Sequence, residues 1–444
     1  MVTRADYETR PISDEVWGMM KKIRRDHFWR TWQAQDEGGI VLTGINFGFQ
    51  PLFGGFGTVA TPSMGAGFTR IARMGTAEDG LKRYVNITTA KGLTPMCGAI
   101  AAHLGQVWEG VSFKNPTTEK EIIPDFIYCS SGCYAQQKGS QMCGDILGLP
   151  MLYIEQPISS NTENYIEYVT AQLADAIEWI EKRTGKTFDD EKFIESVGFN
   201  IQTSAYWASI ADLTRNIPSP LSIRQTASLN MPLMTMAFSK EVMDYLEALY
   251  AEVQQRVKDG ISGSPFERKR LSHQGGIHPM YRPDVLRWPE EYGAAFVMGW
   301  GVQGGMYTED GERILPKSLE ERGIVLKNRE DALRALVDPF GYRSLIGERD
   351  RETRRKNMIH SLKDWHVDGV MLHFARRCAL TTIGIFDTKS DLEKAGFIVG
   401  TYEASEGDPN EFIEAIVRED FSHFFDRLGL TKIEKGLPDQ DEDD

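Results

Sequence analysis

Residues Pro124–Pro157 read PDFIYCSSGCYAQQKGSQMCGDILGLPMLYIEQP. The stretch opens on an apolar run, Phe126–Tyr128, crosses the small-residue loop CSSGC, and continues as a helical segment from about Ala135 to Leu147. A second apolar run, Leu149–Ile154, follows it. Strand, loop, helix and strand within about thirty residues make a βαβ unit, which requires a parallel sheet with a right-handed crossover. In such sheets ligands gather beyond the carboxyl ends of the strands. The sequence sets Cys129 and Cys133 there, two of only five cysteines in 444 residues.

The order strand, cysteine, helix returns once. Asp368–Phe374 (DGVMLHF) reads as a strand, and Cys378 follows it. Further upstream, Gly92–Val107 (GLTPMCGAIAAHLGQV) reads as a loop entering a helix, with Cys97 near the helix start. Helix N-termini favour thiolates, because free N–H groups and the dipole stabilise negative charge. Cys143, in mid-helix, reads as a packing residue. Spacing alone leaves the others open. Cys129 and Cys133 form a single C-x3-C pair, where a structural zinc site shows two close pairs and a thioredoxin-like site shows C-x2-C.

Between these regions the pattern is helical. Ser160–Glu163 is a capping box, and Tyr165, Val169, Leu173, Ile177 and Ile180 mark one face of a helix ending at Gly185. Helical patterning continues to about Gly260 and includes Lys240–Val257. A second α/β region follows, with a strand at Gly293–Met298, a helix at Met358–His366 and a closing helix at Phe412–Leu428. Ser13–Trp32 carries a loose helical spacing. Gly44–Gly67, rich in glycine and phenylalanine, reads as loops and a pocket wall. The expected organisation is a helical segment and first α/β domain over 1–160, a helical domain over 161–280, a second α/β domain over 281–435, and an acidic tail over 436–444. The fold class is α/β, two Rossmann-like or flavodoxin-like parallel-sheet domains with a helical domain and the site between them.

Composition narrows the function. Hydrophobic residues make up 41% and charged residues 26%, a balance that supports sizeable cores. A net charge of −14 argues against nucleic acid as a partner, because counterion release needs a basic surface. No apolar run reaches the length of a membrane span and the first residues lack a signal-peptide pattern, so a cytoplasmic location is expected. An odd number of scattered cysteines does not read as a disulfide framework.

The segment Pro124–Pro157 resembles the signature of the benzoyl-CoA reductase/2-hydroxyacyl-CoA dehydratase family. Cys133, Lys138 and the closing Gln156-Pro157 fit its pattern. Cys97 stands where that family has its first cluster cysteine, and VDGVMLHFARRCAL resembles its later strand, with Cys378 as the third. The resemblance runs from about residue 80 to 430 and implies that Cys97, Cys133 and Cys378 hold one [4Fe-4S] cluster with an iron left open. Cys129 is a departure from the pattern, a neighbour of the site or a substitute ligand.

The implied partners are a homologous second catalytic subunit, a two-subunit ATP-hydrolysing electron activase with its own cluster, a ferredoxin upstream, and an acyl-CoA substrate. The chain has no G-x4-G-K-[ST] loop, consistent with ATP being handled elsewhere. The variant SGCYAQQK points to the larger subunit of ATP-dependent benzoyl-CoA reductase, an oxidoreductase that reduces the aromatic ring to a diene. The alternatives are a 2-hydroxyacyl-CoA dehydratase subunit working through a ketyl radical, and an electron-relay subunit with Cys129 as fourth ligand. His373, Glu290 and Glu291 read as structural or solvated groups, with His103 unassigned. Arg376, Arg377 and Lys138 are candidates for the CoA phosphates or for cluster charge.

Overall fold

Two parallel sheets carry the chain, and both are wound in the same order. The structure, a computed structural model, describes residues 6–44, 48–57, 59–60, 77–93, 96–115, 118–157, 162–276, 278–299, 306–308, 311–338 and 351–433. The first sheet contains β1 (Ile40–Thr43), β2 (Val59–Ala60), β3 (Phe126–Ser130) and β4 (Met151–Ile154), in the order β2-β1-β3-β4 with every pair parallel. The second contains β5 (Lys269–Gly275) and β6 (Ala294–Met298). After the short antiparallel pair β7 (Met306–Tyr307) and β8 (Arg313–Ile314), it adds β9 (Gly369–Ala375) and β10 (Ile398–Ala404). Its order is β6-β5-β9-β10, again all parallel.

Counting strands along each sheet's own stretch of chain, both read 2-1-3-4. This is the flavodoxin-like doubly wound order, whose switch point lies between the first and third strands. The first strand closes tightly on the third at both switch points. A Cβ on Gly44, just past β1, would lie 1.8 Å from the Tyr128 carbonyl oxygen on β3. Gly275, at the end of β5, has φ +87°, and its Cβ would lie 2.6 Å from the His373 carbonyl oxygen on β9. Only glycine allows this approach.

Helices cover the sheets. The first is α1 (Asp14–Gln33), capped by the Ser13 hydroxyl, which accepts from the Val16 N–H at 3.3 Å. One face of the first sheet packs against α2 (Ala77–Ala90), α3 (Gly98–Trp108) and α4 (Tyr134–Leu147), with Leu81, Val85, Ile100, Leu104 and Ile127 in the shared core. The other face meets α5 (Thr162–Thr184) and α6 (Asp190–Leu213). All five α5 positions expected to form its apolar stripe are buried. The capping box expected at its start falls partly outside the described residues.

The chain then runs through α7 (Ile223–Leu229), α8 (Leu233–Met236) and α9 (Lys240–Asp259). Here α9 packs with α1 around Tyr245, Leu246 and Leu249. The second sheet is covered by α11 (Arg351–Asp364), α13 (Ile385–Lys394) and α14 (Glu414–Arg427), with Phe421, Phe424 and Phe425 packed into its core. A four-residue turn of helix, α12 (Ala379–Thr382), starts at Cys378.

Three features depart from the sequence reading. β5 lies ahead of residue 281, so the second sheet takes its first strand from the stretch expected to be helical. Helix α10 (Arg329–Val337), expected in the second domain, packs Ala332, Leu333 and Leu336 into the first sheet's core. The described part of the glycine/phenylalanine stretch is packed core. Leu52, Phe53 and Phe56 are buried, Phe53 meets Tyr128 edge-on at 4.9 Å, and Gly55 fits against the Phe188 ring. No helix among the described residues is long and apolar enough to cross a membrane.

Candidate functional site

Cysteine is a weak helix cap, because its sulfur is a poor acceptor for the free N–H groups that Ser, Thr, Asp or Asn satisfy. Yet α3, α4 and α12 begin at Cys97, Cys133 and Cys378, and none of these thiols makes a capping hydrogen bond. Two of the three follow the third strand of their sheets. Cys133 comes after β3 and Cys378 after β9, both at switch points.

The two turns are built to hold the thiols. After β3, the Ser131 N–H donates to the Ile154 carbonyl at 2.9 Å, and the Gln156 side chain donates to the Ser131 carbonyl at 2.9 Å. Gln156 thus ties the cysteine loop to the end of β4. After β9, Arg377 sits at φ 63°, a left-handed conformation that costs a residue with a side chain. Its guanidinium is tied to Glu411 at 2.6 Å, and Thr382 donates to the Ala375 carbonyl at 2.9 Å, closing the turn around Cys378.

Cys97 arrives from the other sheet's helices. The residue after it, Gly98, lies against the loop past β10. A Cβ there would be 2.6 Å from the Asp408 nitrogen and 2.7 Å from the Ser405 hydroxyl. The two α/β units therefore meet at the Cys97 helix start.

These thiols are neighbours. Burial pushes Cys97 up to about 12, helped by the nearby charges of Glu406 and Cys378 and opposed by the Ala99 and Ile100 N–H groups. Cys378 is also raised, by burial first, then by Glu406, with a smaller push from Cys133 and an opposing pull from Thr381. Acidic groups gathered out of water are stable as neutral thiols, or as thiolates around a cation. Among the described residues, no three His, Cys, Asp or Glu side chains close up around a single metal ion.

The family described as "2-hydroxyglutaryl-CoA dehydratase, D-component" matches residues 77–428, a span that includes all three cysteines. The chain belongs to this family. Among its relatives, the (R)-phenyllactyl-CoA dehydratase alpha subunit of Clostridium sporogenes is 25% identical over 328 residues, 72% of this chain and 74% of the relative. The (R)-2-hydroxyglutaryl-CoA dehydratase subunit alpha of Acidaminococcus fermentans is 24% identical, covering 58% of this chain and 50% of the relative. The (R)-2-hydroxyisocaproyl-CoA dehydratase alpha subunit of Clostridioides difficile is 21% identical, covering 66% and 68%. These relatives carry dehydratase names, which support the alternative reading of the sequence ahead of ring reduction.

The other candidate residues of this D-component-family chain divide clearly. Cys129 is on β3 itself, fully buried, with its thiol raised by burial and touched by the charge of Cys133. Cys143 is buried in the packing of α4 and raised to about 12 by that burial. Arg376 pairs with Glu403 at 2.9 Å and Arg377 with Glu411, so both guanidinium groups are engaged within the fold. Lys138 is exposed and donates to Gln141 on its own helix at 3.0 Å. Glu290, expected as one of a solvated pair, is buried, lies 3.6 Å from Arg287 and is raised by that burial. Glu291 pairs with Lys432 at 2.7 Å.

His373, a structural residue in the sequence reading, is buried, and around it lie Tyr402 and His273, which that reading did not single out. His373 on β9 stacks on Tyr402 of β10 at 4.5 Å, and the Tyr402 hydroxyl lies 2.8 Å from His273 Nε2 on β5. His373 Nε2 faces the Ala404 carbonyl at 3.1 Å and so carries the proton there. Burial lowers His273 well below the ordinary histidine value and lowers His278 to about 4. The only signal in the sequence was SHQGGIH, two histidines around a glycine pair, which has no strand-like alternation.

Proposed function

We propose that the chain is the cluster-bearing, alpha-type subunit of a 2-hydroxyacyl-CoA dehydratase. Elimination of water from a 2-hydroxyacyl thioester is difficult because the proton to be lost is on the β-carbon, which the carbonyl does not acidify. Bound at the site, a [4Fe-4S] cluster supplies the low-potential electron that changes this polarity. Cys97, Cys133 and Cys378 would hold it, and three thiolates leave one metal corner without a cysteine. The chain's own part is to set those thiols at three helix starts, with Cys97 and Cys378 buried and Cys133 half-buried, and to fix their turns through Gln156 and Arg377.

The observation that carries the reading is that three helices drawn from both sheets start at cysteines, with Cys378 close enough to feel the charge of Cys133 and to act on Cys97. The dehydratase names of the relatives support the substrate class, and their designation as alpha subunits supports a second subunit. An ATP-hydrolysing activase fed by ferredoxin completes the proposal.

The test is anaerobic purification with the partner subunit and activase, followed by assay with ATP and reductant on 2-hydroxyacyl-CoAs and on benzoyl-CoA. Dehydration is the expected activity, and ring reduction without dehydration would restore the other reading. Serine at Cys97, Cys133 or Cys378 should lower bound iron at least about tenfold. Cys129→Ser should leave iron content and spectrum unchanged. A spectrum altered at Cys129 would instead mark a four-cysteine electron relay.

A further inference from the structure

Apolar side chains crowd the strand ends at which Cys133 and Cys378 stand. Among the described residues, nine large apolar side chains are more than half exposed, and six of them are Tyr134, Leu380, Ile383, Phe386, Ile413 and Ile416. The other three are scattered along the chain, as single exposed residues ordinarily are. Each of the six lies between the end of a strand and the first turn of the helix that follows it. Tyr134 opens α4 beside Cys133, Leu380 to Phe386 follow Cys378, and Ile413 and Ile416 begin α14.

Contacts tie the pieces to one edge. Leu380 and Ile383 are three residues apart across the turn of α12, where the Ile383 N–H donates to the Ala379 carbonyl at 3.2 Å, so they are surface neighbours. Phe386 meets Phe374, near the end of β9, at 4.9 Å. The Arg377–Glu411 ion pair at 2.6 Å joins the Cys378 turn to the segment that enters α14. The six side chains thus line the carboxyl edges of the two sheets.

The size of this surface selects its occupant. Six such side chains, each more than half exposed, present on the order of 400 Å² of apolar area. One side of a standard subunit interface buries about 800 Å², somewhat over half of it non-polar. The edge therefore supplies the apolar share of one stable interface. Passing electron-transfer contacts are smaller, whereas permanent ones are larger and more apolar. The site also calls for cover. Cys133 is only half-buried by this chain, and the electron transfer proposed above needs water kept out.

We propose that this edge is the docking surface for the second, non-identical subunit of the dehydratase, an apolar face of which closes over the Cys133 and Cys378 helix starts. This rests on the dehydratase reading proposed above.

Ile383→Glu and Phe386→Glu test it, with Val325→Glu as a control of similar exposure outside this edge. Each chain is mixed anaerobically with the second subunit, and association is measured by sedimentation; circular dichroism and iron content of the chain alone report folding. Hydrogen exchange on the unaltered pair gives a readout that needs no variant. Association should weaken at least about tenfold for Ile383→Glu and for Phe386→Glu and stay unchanged for Val325→Glu. In the unaltered pair, residues 380–386 and 413–416 should gain protection. Undiminished association of both edge variants, or no added protection at these segments, overturns the assignment. So does association that is normal while binding of the activase is lost, which gives the surface to the electron donor. A dimer of this chain alone, broken by Ile383→Glu while the mixed pair is unaffected, gives it to a second copy. A pair that forms through this edge and yet dehydrates no 2-hydroxyacyl-CoA upholds the surface and overturns the dehydratase reading.

Discussion

His103 shows how one residue sets a pH limit. It lies in α3, six residues past Cys97, is 3% exposed, and its Nε2 has no hydrogen-bond partner among the described residues. Burial pushes it down to about 4. In the unfolded chain it would titrate near the ordinary 6.5, so between those values the unfolded state binds the proton and the folded state does not. Stability is full above pH 6.5 and falls as pH drops toward 4, after which this histidine adds no further loss. His27 and His278, also lowered to about 4 by burial, act in the same direction. Urea denaturation from pH 7 to 4.5 should show the decline, and His103→Leu should remove about 2–3 kcal/mol of it. A midpoint that stays flat in the parent protein would mean that the imidazole has a partner or access to water.

At the scale of elements, what the sequence made legible depended on how polar the element is. The strand at Phe126, the α5 stripe and the strand at Gly369 bury apolar side chains, so their periods are visible. β5 was not visible, because three of its inward positions are Arg270, Ser272 and His273. Arg270 can be buried there because its guanidinium meets Glu267 at 2.5 Å and the carbonyls of Trp365 and Thr214 at 2.8 and 3.1 Å. No periodicity reveals partners so far away in the chain. The cysteine positions were legible for the opposite reason, since each follows a strand or starts a helix in local sequence. Gly98 is the element-scale test of how those helix starts are placed. Gly98→Ala would press a methyl group into the 405–408 backbone, which cannot give way as a flexible side chain would. The expected cost is about 1–3 kcal/mol in denaturant unfolding, with a parallel fall in bound iron. Normal stability and iron content in that variant would show that α3 and the loop are not in the contact described.

At the scale of the molecule, the two sheets contribute unequally to one site. Each has the order 2-1-3-4, each closes its first strand on its third with a glycine, and each places a cysteine after the third strand. The third thiol, Cys97, comes from a helix on the first sheet and is seated by a loop of the second. The Cys97 helix start therefore joins the two units. If the proposed cluster binds here, Cys97, Cys133 and Cys378 become ligands that link the two sheets. Removing iron with a chelator under anaerobic conditions should then loosen the junction before the cores. Hydrogen exchange should rise together at residues 97–104, 131–140, 376–383 and 405–408. The buried stripe of α5 and the α9 residues Val242–Val253 should keep their protection, because their packing does not involve the site. Uniform loss of protection would mean that the bound group supports the whole fold. No loss at the four segments would mean that the two units are held together by their packing alone.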